Sequence, residues 1–123
     1  MIKGKVIKGE GVARNFNYPT ANLDVDWRAL GVPTGVYAGR IKLAGREYGA
    51  AVVIKNSPDK FEAHLIGYAG GDFYGAEVEV SLLDKISEIE AVSGARLRKK
   101  IASDMEKIRK VLTNYFRVRK YRR

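Results

Sequence analysis

The chain of 123 residues has no cysteine, a single histidine, a single tryptophan and no long apolar run. The missing cysteines exclude disulfides, thiolate metal sites and thiol catalysis together. With one histidine and no thiolate to join it, the composition also argues against a structural zinc site. No stretch approaches the length needed to cross a membrane, and the amino terminus has no secretory apolar segment. A soluble, cytoplasmic protein is therefore expected. Acidic residues are nearly absent from one region only. Residues 94–123 hold 2 Asp and Glu against 12 Lys and Arg, whereas residues 1–93 hold 12 against 11. The net charge of +9 thus comes from the last thirty residues. Such a block either attracts polyanions or forms the solvated face of a helix.

What is present fits one domain with a modest core. Period-two alternation marks five strands, over residues 2–8, 36–43, 47–55, 61–68 and 76–82. Tyr37, Gly39, Ile41 and Leu43 share one face of the second. In the fourth, Phe61, Ala63 and Leu65 oppose Glu62, His64 and Ile66. Ala44-Gly45 and Gly70-Gly71-Asp72 supply turn signals, and short strands with glycine-rich turns predict an all-β barrel or sandwich. From Ser93, a plausible N-cap, the period changes. Leu97, Ile101, Met105, Ile108, Leu112 and Tyr115 form an amphipathic stripe, with Arg98, Lys99, Glu106, Lys107, Arg109 and Lys110 on the opposite face. The expected organisation is a barrel over about 1–90, a helix over about 94–116, and a basic tail at 117–123.

The most informative stretch runs from Gly4 to Leu23, where a glycine-punctuated loop leads into Pro19-Thr20-Ala21-Asn22, read as a turn. Thr20 and Asn22 can present a hydroxyl and an amide oxygen in one direction, an open, incomplete site for a hard cation. Mg²⁺ favours a few protein oxygens completed by substrate phosphates, so the chemistry indicated is phosphoryl transfer. No G-x-x-x-x-G-K-S/T segment is present, nor the H-R-D and D-F-G sets of protein kinases. Backbone amides of loops must then hold any nucleotide.

Four ordered blocks resemble the riboflavin kinase (flavokinase) family over about residues 4–112. They are the G-K-V-I-K-G-E-G to P-T-A-N-L run, Gly35-Val36-Tyr37-Ala38, the E-x-H-L of Glu62 to Leu65, and Gly71-Asp72-Phe73-Tyr74-Gly75. Ser93, Leu97, Ile101 and Asp104 repeat the spacing of the family's terminal helix. The resemblance implies a six-stranded Greek-key barrel with a helix packed outside it. The implied reaction transfers the γ-phosphate of a nucleoside triphosphate, ATP by expectation, to the 5′-hydroxyl of riboflavin, giving FMN.

By the same resemblance, Glu62 is the catalytic base, while Thr20 and Asn22 hold Mg²⁺ or another divalent cation with the phosphates. Gly9, Gly11, Arg14, Pro19, Thr20, Asp72, Phe73, Tyr74 and Gly75 line the nucleotide. Without the resemblance, a glutamate on the polar face of a strand is simply solvated. Tyr68 and His64 are the candidates for flavin contact, His64 otherwise being a hydrogen-bonded wall residue. Aromatics are more often core or rim residues, and the alternative for Trp27 and the seven tyrosines is a stacking surface, for which Tyr68, Phe73 and Tyr74 are the best placed, beside turns.

Val12 and Ala13 replace an arginine and a glycine of the family's phosphate loop, and residues 55–60 are a shortened form of its flavin-side loop. Gly67-Tyr68 stands where an aspartate is common. No nucleotidyltransferase-like region precedes the barrel, so the second activity often fused to bacterial flavokinases is expected to be absent, and a monomer is expected. The rival reading is a small barrel that binds nucleic acid through its basic helix and tail, with Phe116 and Tyr121 interleaved among Arg117, Arg119, Lys120, Arg122 and Arg123. No nucleic-acid motif accompanies those residues. A further alternative is a flavin- or nucleotide-binding relative without turnover.

Overall fold

The computed structural model describes residues 1–8 and 18–121. Six strands, β1 (Ile2–Ile7), β2 (Thr20–Asp24), β3 (Gly35–Leu43), β4 (Arg46–Lys55), β5 (Lys60–Ile66) and β6 (Glu77–Ser87), precede one helix, α1 (Gly94–Tyr121). The strands close into a barrel in the order β1-β2-β5-β4-β3-β6, every pair antiparallel. Strands β3, β4 and β5 form a meander, and β2 lies beside β5 although it is joined to β3, which is a Greek key. The alternation left barrel and sandwich open, and the closed six-stranded barrel is the form that the resemblance implied.

Alternation sorts the side chains between two cores. Tyr37, Ile41 and Leu43 of β3 point inward with Phe61, Ala63 and Leu65 of β5, Val52 and Ile54 of β4, and Val78 and Val80 of β6. The outward residues Val36, Ala38 and Ala51 meet Met105, Ile108 and Leu112 of α1. Burying each of those three helix side chains stabilises the fold by roughly 1.5–3 kcal/mol. Gly49 makes the close approach possible, because a Cβ there would stand 2.7 Å from Leu112 Cδ1. A polar staple fixes the first half of the helix: Lys100 Nζ donates to buried Asp104 at 2.7 Å and to Ser87 Oγ on β6 at 2.8 Å.

The hairpin between β3 and β4 turns at Ala44 (φ 51°) and Gly45 (φ 79°). Positive φ at both central residues is the twist-matched solution for a two-residue loop.

Three elements differ from the sequence expectation. Pro-Thr-Ala-Asn is not a turn: Thr20 opens β2, with Ala21 and Leu23 buried inside the barrel. Pro19 needs no N–H there, and its carbonyl accepts from Leu65 N at 2.8 Å. Strand β6 runs five residues past Leu82, where two bulges against β3 break the alternation, so that Leu83 and Ile86, three residues apart, both face the helix. The helix continues to Tyr121, five residues beyond its expected end, so the basic segment begins as helix. Trp27 is 5% exposed and belongs to the barrel core, the commoner of the two places considered for an aromatic, and offers no stacking surface.

Candidate active site

The register between β2 and β5 assembles the site. Thr20 lies opposite His64, Ala21 opposite Ala63, and Asn22 opposite Glu62. Both alanines are fully buried in the barrel, so the period of two turns Thr20, Asn22, Glu62 and His64 onto the outer face as two adjacent cross-strand pairs. Side chains directly opposite on antiparallel strands stand about 5 Å apart at Cβ. The proposed cation ligands and the proposed base, some forty residues apart in sequence, therefore share one small patch.

Hydrogen bonds hold the entry to β2. Thr20 Oγ1 donates to the Tyr18 carbonyl at 3.1 Å and lies 2.9 Å from His64 Nδ1. The Tyr18 hydroxyl accepts from Arg109 Nη2 of α1 at 2.6 Å, tying helix to strand. His64 is 5% exposed, and burial pulls its imidazole down to a pKa of about 4, leaving it neutral at physiological pH.

Beside Thr20 opens a cleft of about 440 Å³ lined by Tyr18, Pro19, Thr20, Tyr68, Gly70, Gly71, Asp72, Phe73 and Tyr74. Tyr68 is its rigid wall. Its ring meets Phe73 edge-on at 5.1 Å and Tyr48 at 5.5 Å, and its hydroxyl donates to the Gly71 carbonyl at 2.8 Å. The turn that follows docks on β1: Gly75 N donates to the Val6 carbonyl at 2.8 Å, and Val6 N to the Ala76 carbonyl at 2.9 Å. Gly75 has φ 83°, a conformation glycine adopts without strain. β1 ends at Ile7, opposite Asn22, so the Asp72–Gly75 turn and the Asn22–Glu62 pair flank the same strand ends.

Of the residues singled out from sequence, Pro19, Thr20, Asp72, Phe73 and Tyr74 come together in this cleft, joined by Tyr68. Asn22 and Glu62 lie one cross-strand pair along the ladder from Thr20, outside the lining. His64 is buried and does not line the cleft. Gly9, Gly11 and Arg14, with the departures at Val12 and Ala13, lie outside the described residues. The shortened loop at 55–60 is a tight hairpin in which Lys55 pairs with Lys60, and Asp59 accepts two hydrogen bonds from Arg28, at 2.9 and 3.0 Å.

Two participants escape the sequence patterns. Arg109 reads as one more cation of a solvated helix face, and Tyr18 as a residue before a proline. Only their contact across 91 positions gives them a place at the site.

The donor set suits a hard divalent cation. A hydroxyl and an amide oxygen two residues apart, beside a carboxylate and next to a cleft, leave most coordination positions for phosphate oxygens and water. Among the described residues no cluster of three or more His, Cys, Asp and Glu could hold a metal unaided.

Comparison with known proteins places the chain in a family and a fold. The Flavokinase family model, described as riboflavin kinase, matches residues 1–112. The chain is 27% identical to the bifunctional riboflavin kinase/FMN adenylyltransferase of Bacillus subtilis, over 94% of this chain and 38% of that protein. It is 32% identical to the protein of the same description from Haemophilus influenzae, over 85% of this chain and 36% of the relative. The chain thus spans less than two fifths of the length of these curated relatives. A solved riboflavin kinase from Trypanosoma brucei superposes with a TM-score of 0.65 at 24% identity, covering 90% of this chain and 75% of that one, a likeness of fold.

Proposed function

The chain belongs to the riboflavin kinase family, and we propose that it transfers the γ-phosphate of ATP to the 5′-hydroxyl of riboflavin, yielding FMN and ADP. The observation that carries this is the pairing of Asn22 with Glu62 and of Thr20 with His64 on one outer face, beside a cleft walled by Tyr68, Phe73 and Tyr74. The nucleotide occupies that cleft, with the Asp72–Gly75 turn along it; Gly9, Gly11 and Arg14, which the resemblance assigns to its phosphates, lie outside the described residues.

Thr20 and Asn22 would hold Mg²⁺ together with phosphate oxygens, and the chemistry such an ion would supply is neutralisation of the charge on the transferring group. Glu62 accepts the proton of the riboflavin hydroxyl as that oxygen forms its bond to the γ-phosphorus and the bond to the ADP oxygen breaks. The strand backbone holds the carboxylate in place, so its position depends on register and not on a flexible loop.

The kinase unit comprises residues 1–116, works as a monomer and resides in the cytoplasm. Among the described residues, no helix is long and apolar enough to cross a membrane. Purified chain incubated with riboflavin, Mg²⁺ and each nucleoside triphosphate in turn is expected to form FMN, resolved by chromatography, fastest with ATP. A chain that makes no FMN with any triphosphate, while still binding flavin or nucleotide, is a relative without turnover.

A further inference from the structure

The Thr20 hydroxyl has one proton and, among the described residues, two neighbours that compete for it. Its oxygen lies 3.1 Å from the Tyr18 carbonyl oxygen and 2.9 Å from His64 Nδ1. A carbonyl oxygen can only accept, so the contact with Tyr18 requires the hydroxyl proton to lie on that side. The contact with His64 is then a hydrogen bond only if Nδ1 carries a proton and donates it to Thr20. The reverse polarity, with Thr20 donating to a bare Nδ1, leaves two oxygens facing each other at 3.1 Å with no hydrogen between them. One arrangement satisfies both contacts: Nδ1–H of His64 to Thr20 Oγ1, and Thr20 O–H to the Tyr18 carbonyl.

We infer that His64 is the positioning residue for Thr20: by donating from Nδ1 it turns the Thr20 proton back toward Tyr18, so that the remaining lone pair faces outward as a cation ligand. The inference rests on the proposed place of Thr20 beside Mg²⁺. A hydroxyl is a free rotor, and one whose proton points at a cation is repelled by it. Holding the rotor beforehand removes that cost, as groups behind metal ligands do elsewhere.

The surroundings suit the task. His64 sits on β5 between Thr20 on β2 and Ala51 on β4, itself fully buried. The adjacent bond from Leu65 N to the Pro19 carbonyl, 2.8 Å long, fixes the two strands at that point.

Because the chain has a single histidine, its tautomer can be read without ambiguity. In ¹⁵N-labelled protein between pH 6 and 8, two-bond ¹H–¹⁵N correlations are expected to show a protonated Nδ1 and an unprotonated Nε2. The opposite tautomer overturns the inference and leaves the place of Thr20 untouched.

Mg²⁺ can then be titrated against binding of a non-hydrolysable ATP analogue by calorimetry. His64→Ala should raise the half-saturating Mg²⁺ concentration by about tenfold, the lower end of the effect of removing a group behind a metal ligand. His64→Asn, whose amide N–H can stand where Nδ1–H stood, should restore most of the loss. In a Thr20→Val background, His64→Ala should add nothing. An unchanged Mg²⁺ requirement in folded His64→Ala, or the same loss in His64→Asn as in His64→Ala, overturns the role. If Thr20→Val alone leaves the Mg²⁺ requirement unchanged, the assignment of Thr20 falls first and that of His64 with it.

Discussion

Two polar surfaces of this protein invite functional interpretation, and they are built on opposite principles. The outer face of β2 and β5 carries little charge: Thr20, Asn22, Glu62 and His64, set in two cross-strand pairs, with Thr20 bonded to the Tyr18 carbonyl and to His64. The outer face of α1 is dense with charge, exposing Arg96, Arg98, Lys99, Lys107, Arg109, Lys110 and Arg117 against Glu106 among the described residues. Its ion pair between Lys110 and Glu106 spans 3.6 Å with both side chains about three quarters exposed, a geometry that contributes little in water. The comparison teaches that chemistry comes from side chains whose relative positions are over-determined. Charge count alone produces a field that salt screens within roughly 10 Å.

The largest expected effect falls on the ordered face. Glu62→Gln keeps shape and hydrogen-bonding capacity but cannot take a proton, and turnover should fall by about 10² to 10⁴. Riboflavin binding should stay within a few-fold. Single-turnover kinetics beside a binding titration would separate the two, and near-normal FMN formation would remove Glu62 from the mechanism.

Next comes the hidden side of the helix, where charge does have a fixed partner. Asp104→Ala leaves the Lys100 ammonium, partly buried against β6, without its buried carboxylate, and chemical denaturation should show a loss of about 3 kcal/mol, the scale for breaking a buried pair. A loss under about 0.5 kcal/mol, the level of ordinary surface substitutions, would put this pair in the same class as Lys110 and Glu106.

Asn22→Ala returns to the ordered face. It should raise the Mg²⁺ needed for triphosphate binding and lower turnover by about 10- to 100-fold, on the scale for weakening a metal site. Binding of riboflavin alone should hardly change. Unchanged metal dependence would leave Asn22 a strand residue and nothing more.

The smallest effect belongs to the charged face. Residues 117–123 lie beyond the family match, and the side chains of Arg117 and Val118 are exposed. Deleting them should leave FMN formation intact and stability within about 0.5 kcal/mol. The full chain is expected to bind polynucleotide weakly, with an affinity that falls as salt rises, and the deletion should flatten that slope. Tight binding at physiological salt, in a protein making no FMN, would reverse the ranking of the two surfaces.

Legibility in the sequence followed local periodicity. Strands β3, β4 and β5 and the stripe of α1 each repeat long enough for one period to stand out, and their boundaries fall within two residues of expectation except at the helix end. Strand β2 is five residues long behind a proline, too short to separate from a turn. Strand β6 was truncated because its bulges hide the continuation. Trp27 could not be placed from its neighbours, since its burial depends on strands from across the barrel.

The sequence by itself determined what local pattern can carry: an all-β class with a terminal amphipathic helix, the inward and outward sides of the long strands, the segregation of charge into the last thirty residues, and the motif residues themselves. Side-chain periods of 2 and 3.6 are properties of the backbone and need no partner to be read. Tertiary structure decided which faces meet. Only closure in the order β1-β2-β5-β4-β3-β6 brings Asn22 to Glu62 and Thr20 to His64, and only the docking of α1 brings Arg109 to Tyr18. The physical reason is that strand pairing and helix docking depend on how the whole apolar surface is shared between two cores. No window of neighbouring residues contains that information.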